Sequence, residues 1–187
     1  VPWHKLYDPV QMPLPLYTAD DESLQMFVNK VQNRYKYRDL GSDLNLIRCI
    51  KAYYYACVSF IDYQVGRILD ALEASGQMDN TLIVFTSDHG ELLGDYHCYG
   101  KRSMHDAPAH IPMIAYQKGV FEGGRRESKP VSLVDLAPTF LKAAGVDAAP
   151  YGFDGVAMQD EAHDYVYSVF SCYQEVQNGS AHRIPEL

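Results

Sequence analysis

The chain has 187 residues, of which 47% are hydrophobic and 21% are charged, and its formal net charge is −8. This length suits one domain, and the composition is that of a globular protein rather than a disordered one. The negative charge disfavours nucleic acid and anionic membrane surfaces as partners, and no apolar run approaches the roughly 18 residues of a membrane span.

The first predicted elements lie before Gly76. Residues 1–19 contain four prolines among aromatic residues, which predicts an extended segment lying on another element. Residues 21–34 have the spacing of a short amphipathic helix. A long helix is predicted from Leu44 to Ser75, where Gly76 ends it. Its apolar residues form one stripe that should face a core: Tyr54, Val58, Ile61, Val65, Ile68, Leu69 and Leu72.

Three short segments are predicted to be strands. Thr81–Phe85 is apolar on both faces, which is typical of a parallel strand that is covered on both sides. Ile111–Tyr116 is the second candidate and Tyr165–Phe170 is the third. An open sheet usually has about four to six strands. We therefore expect the sheet to be incomplete in this chain, or to be completed by another chain.

A further helix is predicted after Ser132, whose spacing from Asp135 is that of a capping box. Gly145 is placed to end this helix. The resulting order of helix, strand, strand, helix and strand indicates an α/β fold.

The stretch TSDHGELLGDYHCYGKRS, residues 86–103, concentrates metal-ligand and proton-transfer residue types directly after the first predicted strand. Ligands of α/β sheets bind beyond the carboxyl ends of the strands. Asp88 and His89 offer a carboxylate oxygen and an imidazole nitrogen, which together suit a divalent cation. The alternative is that Asp88 caps a turn and His89 is an ordinary loop histidine.

Lys101 and His97 are the candidate substrate residues of the same stretch. Lys101 follows Gly94 and Gly100, which would let the loop fold back on itself. A lysine beside a bound cation can neutralise an anionic substrate oxygen as charge develops. His97 can donate or accept a proton. The alternative for Lys101 is a solvated surface lysine.

These motifs in combination resemble the sulfatase family of the alkaline phosphatase superfamily. The resemblance rests on NTLIVFTSDHGE at 80–91, LGD at 93–95, GKRSM at 100–104 and IPMI at 111–114. It extends to YDP at 7–9, PLP at 13–15, the helix Tyr53–Glu73 and SLVDLAPT at 132–139.

The resemblance implies a mostly parallel, alkaline-phosphatase-like sheet flanked by helices, and hydrolysis of a sulfated small molecule or glycan. By position, Asp88 and His89 match a pair of metal ligands, usually around calcium. Lys101 matches a lysine that contacts the sulfate and the leaving-group oxygen. His97 lies beside the place where many relatives carry a histidine after Gly-Asp, and we expect it to replace that substrate contact. The family resemblance also favours an extracytoplasmic location (periplasmic, secreted or lysosomal).

One departure from the family pattern concerns the nucleophile. Sulfatases use a formylglycine made from Cys or Ser in a C/S-x-P-x-R segment, and none of the four cysteines lies in one. We therefore expect residues 1–187 to be part of a sulfatase catalytic domain, without the nucleophile segment and the C-terminal subdomain. The isolated chain is then expected to be inactive, with the formylglycine in the parent protein.

Two alternatives to a sulfatase remain at this point. One is a phosphodiesterase or phosphonate monoester hydrolase relative, because the same cation cluster accepts phosphoryl groups. The other is a non-catalytic remnant that keeps the fold without the chemistry.

Overall fold

The computed structural model of the protein describes residues 2–18, 20, 23, 25, 27, 29–30, 43–101, 103–121, 123–160 and 163–168. The dominant element is helix α1, Leu44–Ala74. Asp43 caps its start, because the Asp43 side chain accepts hydrogen bonds from the backbone of Asn45 and Leu46. Gly76, with φ of +69°, lies directly beyond its end. The predicted long helix is confirmed to within one residue.

The proline-rich N-terminal segment lies on α1, as predicted, although it contains two short 3-10 turns, Pro2–Lys5 and Pro9–Gln11. The Trp3 ring contacts two aromatic rings of the helix at centroid distances of 6.2 and 5.2 Å. The Tyr7 hydroxyl lies 2.6 Å from Ser59 Oγ, and the Tyr7 ring packs edge-on against Tyr55. This segment therefore covers one side of the helix.

The predicted apolar stripe lies on another side of α1, and its expected burial is found only in part among the described residues. Tyr54, Val58, Ile61 and Ile68 are exposed, by 40%, 52%, 52% and 66%. The buried residues of α1 are Ile47, Lys51, Ala52 and Ala56. The other stripe residues, Val65, Leu69 and Leu72, are half-buried. Amphipathic spacing identifies a face that packs against another surface, and the described residues supply that surface only in part.

Two strands form an antiparallel pair, β1 (Ile83–Thr86) and β2 (Met113–Tyr116). Thr86 pairs with Met113 at the loop end, and Ile83 pairs with Tyr116 at the other end. The α/β class is confirmed. The expected parallel, doubly covered environment of the first strand is not found among the described residues, since its neighbour is antiparallel and Phe85 and Ile114 are 39% and 63% exposed. The chain reverses direction between β1 and β2, and the described part of the connection contains a 3-10 turn, Asp95–His97, and the four-residue helix α2, Asp106–Ala109.

Two other predicted elements are tested only in part. The predicted helix over residues 21–34 lies largely outside the described residues. In the predicted third strand, residues 165–168 have no regular structure, and residues 169–170 lie outside the described part. Among the described residues, no helix has the length and hydropathy needed to span a bilayer.

The C-terminal described part is organised around Asp135. A 3-10 turn, Leu133–Asp135, leads into helix α3, Leu136–Ala143. The Asp135 carboxylate is 1% exposed and accepts hydrogen bonds from Ser132 N, Val156 N and His163 Nε2 at 2.8, 3.0 and 2.8 Å. The predicted capping box is confirmed, and its acidic residue also anchors the chain segment that follows the helix.

We predict that Asp135→Ala lowers the free energy of unfolding by about 3 kcal/mol or more, because it leaves three donors without their acceptor. Asp147 is the matched control, since it is exposed and its side chain accepts one hydrogen bond, from Ala149 N at 3.0 Å. Asp147→Ala should cost about 1 kcal/mol or less. Urea denaturation followed by circular dichroism measures both, and equal losses would contradict the anchoring role of Asp135.

Candidate active site

The loop that joins β1 to α2, residues 87–105, is called the site loop. Its first residues are held close to the end of β1. Thr86 Oγ1 donates a hydrogen bond to the Pro112 carbonyl at 2.8 Å, and Ser87 Oγ donates to the His89 carbonyl at 2.7 Å. These two bonds fix the position from which Asp88 and His89 leave the strand.

The side chains of Asp88 and His89 are brought together. Asp88 Oδ2 lies 3.3 Å from His89 Nε2, and Asp88 Oδ1 accepts a hydrogen bond from His89 N at 3.0 Å. His89 Nδ1 lies 2.8 Å from the Gly90 carbonyl oxygen. Because a carbonyl only accepts, Nδ1 carries a proton, and in a neutral ring Nε2 would then present its lone pair next to the carboxylate.

That arrangement fits a shared cation. Two acceptors 3.3 Å apart repel each other unless a proton or a cation lies between them. Adjacent ligands of a cation with bonds of about 2.4 Å lie about 3.4 Å apart. The Asp88 side chain is 79% exposed and that of His89 is 35% exposed, so both atoms are accessible to an ion. Asp88 also holds its own turn, as the alternative interpretation required.

The pair supplies only part of a ligand set. Within the described ranges, no group of three or more His, Cys, Asp and Glu side chains is arranged to hold a metal. Calcium takes about six to eight oxygen ligands. Asp88 and His89 therefore fit two ligand positions of a divalent cation. The remaining ligands would have to come from other groups.

The residue after Asp88 and His89 lies against the backbone of α2, and only glycine fits there. Gly90 N donates a hydrogen bond to the Pro108 carbonyl at 2.8 Å, and a Cβ atom at Gly90 would lie 1.8 Å from the Ala107 carbonyl oxygen. The site loop thus crosses the backbone of α2 in direct contact. The sequence reasoning did not single out Gly90, although a glycine directly after two polar candidates was a signal.

Glu91 closes the next part of the site loop. Its Oε1 accepts hydrogen bonds from Gly100 N at 2.5 Å and from Leu93 N at 3.3 Å, while Leu92 N donates to the Gly100 carbonyl at 3.0 Å. Lys101 follows this closure and is exposed. Its side chain makes no ion pair with any described residue, and no described contact joins it to Asp88 or His89. The predicted fold-back of the loop is confirmed, and the role of Lys101 stays a prediction.

Asp95 connects the site loop to two distant parts of the chain. Its Oδ1 accepts a hydrogen bond from Leu16 N at 2.9 Å and lies 4.0 Å from Lys51 Nζ of α1. The Asp95 and Lys51 side chains are 17% and 9% exposed. Tyr96 N donates in turn to the Leu16 carbonyl at 2.9 Å. Sequence reasoning missed this junction, because nothing local in the sequence links these residues.

His97 lies beyond this junction, in an uncommon backbone conformation. Tyr96 and His97 have φ of +53° and +56°, values that few residues other than glycine adopt. The Tyr17 ring stacks on the His97 imidazole with centroids 4.3 Å apart, and the Tyr96 ring stacks on His105 at 4.7 Å. The predicted contact of His97 with a substrate stays a prediction.

Two tyrosines near the site loop remain neutral at physiological pH. Burial raises the pKa of the Tyr99 phenol to about 12, and the neighbouring Tyr17 adds to the shift. Burial also raises the pKa of Tyr54, and the Glu91 carboxylate adds to it. Because a tyrosine is neutral at pH 7 even at its ordinary pKa of about 10, both phenols keep their protons.

The sulfatase family model matches residues 18–146. Among curated proteins, the chain is 41% identical over 100 residues to arylsulfatase K of Danio rerio. The aligned region covers 54% of this chain and 19% of that protein. It is 28% identical over 169 residues to an arylsulfatase of Clostridium perfringens, which covers 84% of this chain and 35% of that protein.

Solved structures are similar as well. The phosphonate monoester hydrolase SpPMH from Silicibacter pomeroyi matches with a TM-score of 0.76 and 33% identity, over 85% of this chain and 33% of that chain. BT4656, solved in complex with its substrate D-glucosamine-2-N,6-O-disulfate, matches with a TM-score of 0.59 and 32% identity, over 70% of this chain and 27% of that chain.

The chain spans between 19% and 35% of the length of these four proteins. The family model, in contrast, matches more than half of the chain. The described fold is accordingly a part of an alkaline-phosphatase-like α/β domain. The chain belongs to the sulfatase family.

Proposed function

We propose that the protein that carries this chain hydrolyses sulfate esters, and that the site loop supplies the cation-binding and sulfate-binding part of its active site. One observation carries the proposal. In a chain of the sulfatase family, Asp88 Oδ2 and His89 Nε2 lie 3.3 Å apart at the end of a strand, and His89 Nδ1 lies 2.8 Å from the Gly90 carbonyl oxygen.

In this proposal Asp88 and His89 hold a divalent cation, which when bound would stabilise negative charge on a sulfate oxygen. Lys101 contacts the sulfate and the leaving-group oxygen, where its ammonium group neutralises charge as the ester bond breaks. His97 donates a hydrogen bond to the substrate. The nucleophile is a formylglycine contributed from outside this chain, since none of the four cysteines lies in a C/S-x-P-x-R segment.

The proposed substrate is a sulfated small molecule or glycan. The naming of relatives as arylsulfatases, and of BT4656 as acting on a disulfated glucosamine, supports this class. We also propose that the open stripe of α1 (Tyr54, Val58, Ile61 and Ile68) packs against further parts of the same domain or against another chain. An exposed apolar surface of this kind is typical of an interface.

Calcium is the cation that the family resemblance implies, and the ligands make that choice testable. Calcium prefers oxygen ligands, whereas imidazole suits zinc and other transition metals. Titration calorimetry of the metal-stripped protein with Ca²⁺, Mn²⁺ and Zn²⁺ should give tightest binding for Ca²⁺. If Mn²⁺ or Zn²⁺ binds more tightly than Ca²⁺ and that binding is lost in His89→Ala, calcium is the wrong cation but the cation site is correct.

We predict that Asp88→Ala and His89→Ala each lower the affinity for the cation by at least about 10-fold, the loss that even an outer partner of a metal ligand can cause. Gly90→Ala should also weaken binding, because the clash with Ala107 displaces the pair. Gly123→Ala is the matched control for the glycine, since a Cβ atom there meets nothing within 4 Å. Unchanged calorimetric affinity in both ligand variants would rule out the site.

We predict that Lys101→Ala lowers kcat/KM for 4-nitrophenyl sulfate by about 100- to 1,000-fold in the whole protein, as loss of one group that stabilises transition-state charge does. Lys129→Ala is the control, because Lys129 is an exposed lysine of another loop. Release of 4-nitrophenolate measures the rate. A loss for Lys101→Ala no greater than for Lys129→Ala would show that Lys101 is a solvated lysine.

A second candidate function is hydrolysis of phosphonate monoesters. It is favoured by the similarity to SpPMH, with a TM-score of 0.76, and to the phosphonate monoester hydrolase of Agrobacterium radiobacter, with a TM-score of 0.68 and 27% identity. Comparing kcat/KM for 4-nitrophenyl sulfate and a 4-nitrophenyl phosphonate separates the two. A higher value for the sulfate supports the first proposal, and a higher value for the phosphonate supports the second.

A further inference from the structure

The turn Asp95–His97 stores backbone strain. Tyr96 and His97 are consecutive and neither is glycine, yet both have φ near +55°. Such residues persist only where the surrounding structure holds them, and they are concentrated at ligand-binding and catalytic sites. We therefore expect other residues to hold this turn in place, and we expect the turn to have a functional role.

Residues 15–17 supply the contacts. Pro15 packs so closely on Gly94 that a Cβ atom there would lie 2.9 Å from Pro15 Cγ. Leu16 makes two hydrogen bonds to the turn, one through its N–H to Asp95 Oδ1 and one through its carbonyl to Tyr96 N, each 2.9 Å long. These contacts fix the backbone that leads into the strained positions. We call residues 15–17 the brace.

The last residue of the brace holds a side chain rather than the backbone. The Tyr17 ring lies 4.3 Å from the His97 ring, with an angle of 11° between their planes. A stack of this kind fixes the plane of an imidazole and covers one of its faces. The imidazole nitrogens lie at the edge of the ring, where a stack does not cover them. The pairing thus orients a hydrogen-bonding edge.

We propose that Tyr17 is a positioning residue that orients His97 toward the sulfate group of the substrate. The inference rests on the proposed role of His97 as a substrate contact. It goes beyond that role by assigning the orientation of His97 to a residue of the N-terminal segment. The brace then transmits the packing of the N-terminal segment to the substrate site.

The test is a double-mutant cycle in the whole protein, with 4-nitrophenyl sulfate as substrate. His97→Ala should raise KM by about 10-fold with kcat little changed, because the hydrogen bond to the sulfate is present in the ground state and the transition state alike. Tyr17→Ala should raise KM by nearly the same factor. The double variant should resemble His97→Ala alone, and Tyr17→Phe, which keeps the stack, should stay within about 2-fold of the unaltered protein.

Tyr7→Ala is the matched control. Tyr7 belongs to the same N-terminal segment and contacts an aromatic ring of α1, with no contact to the turn. A purely structural loss reduces the amount of active protein, which lowers the apparent kcat and leaves KM unchanged. If Tyr17→Ala leaves KM unchanged, as Tyr7→Ala does, the proposal is wrong. It is also wrong if the increases in KM caused by Tyr17→Ala and His97→Ala multiply in the double variant.

The experiment distinguishes failure of the proposed function from failure of the proposed role of Tyr17. If His97→Ala leaves KM unchanged while the unaltered protein turns over the ester, the contact role of His97 is wrong, and the positioning role of Tyr17 is wrong with it. If the protein turns over no sulfate ester, the same cycle is measured as affinity for inorganic sulfate by calorimetry. Coupling between Tyr17 and His97 in that affinity supports the proposal, and its absence overturns it.

Discussion

The substrate side of the site loop depends on one group, the Asp95 carboxylate, which is engaged by Leu16 N and by the Lys51 ammonium group. A largely buried charge is tolerated only with a partner and hydrogen bonds, and here the partners come from the N-terminal segment and from α1. Removing Lys51 leaves the Asp95 charge without its ion-pair partner, and removing Leu16 N leaves the carboxylate without a hydrogen bond. The turn Asp95–His97 can therefore keep its conformation only while both distant segments are in place.

The same dependence explains which features the sequence predicted. Helix α1 was recognisable because its periodicity and Gly76 are local signals. Asp88 and His89 were recognisable because adjacent residues at the end of a strand are brought together by any conformation of that turn. The closure of the loop onto Gly100 also followed from a local pattern of glycines.

The features that the sequence did not predict are pairings between distant residues. Nothing in the pattern around Asp95 indicates Lys51, and nothing around His97 indicates Tyr17, because such pairs have no period and no fixed spacing. The predicted burial of the α1 stripe was met only in part, for a related reason. Its spacing correctly marked an apolar face, but a pattern within one helix does not contain the surface that covers it.

The two parts of the candidate site are consequently held in different ways. The cation pair is fixed by short-range contacts: the Ser87 hydroxyl, the Gly90 carbonyl and the close approach of Gly90 to α2. The substrate side is fixed by the brace and by Asp95, which need the N-terminal segment and α1. Local opening of the N-terminal segment would therefore disorder His97 while leaving Asp88 and His89 together. Cation affinity and substrate affinity should respond separately to such opening, because only the substrate contact depends on the fold at long range.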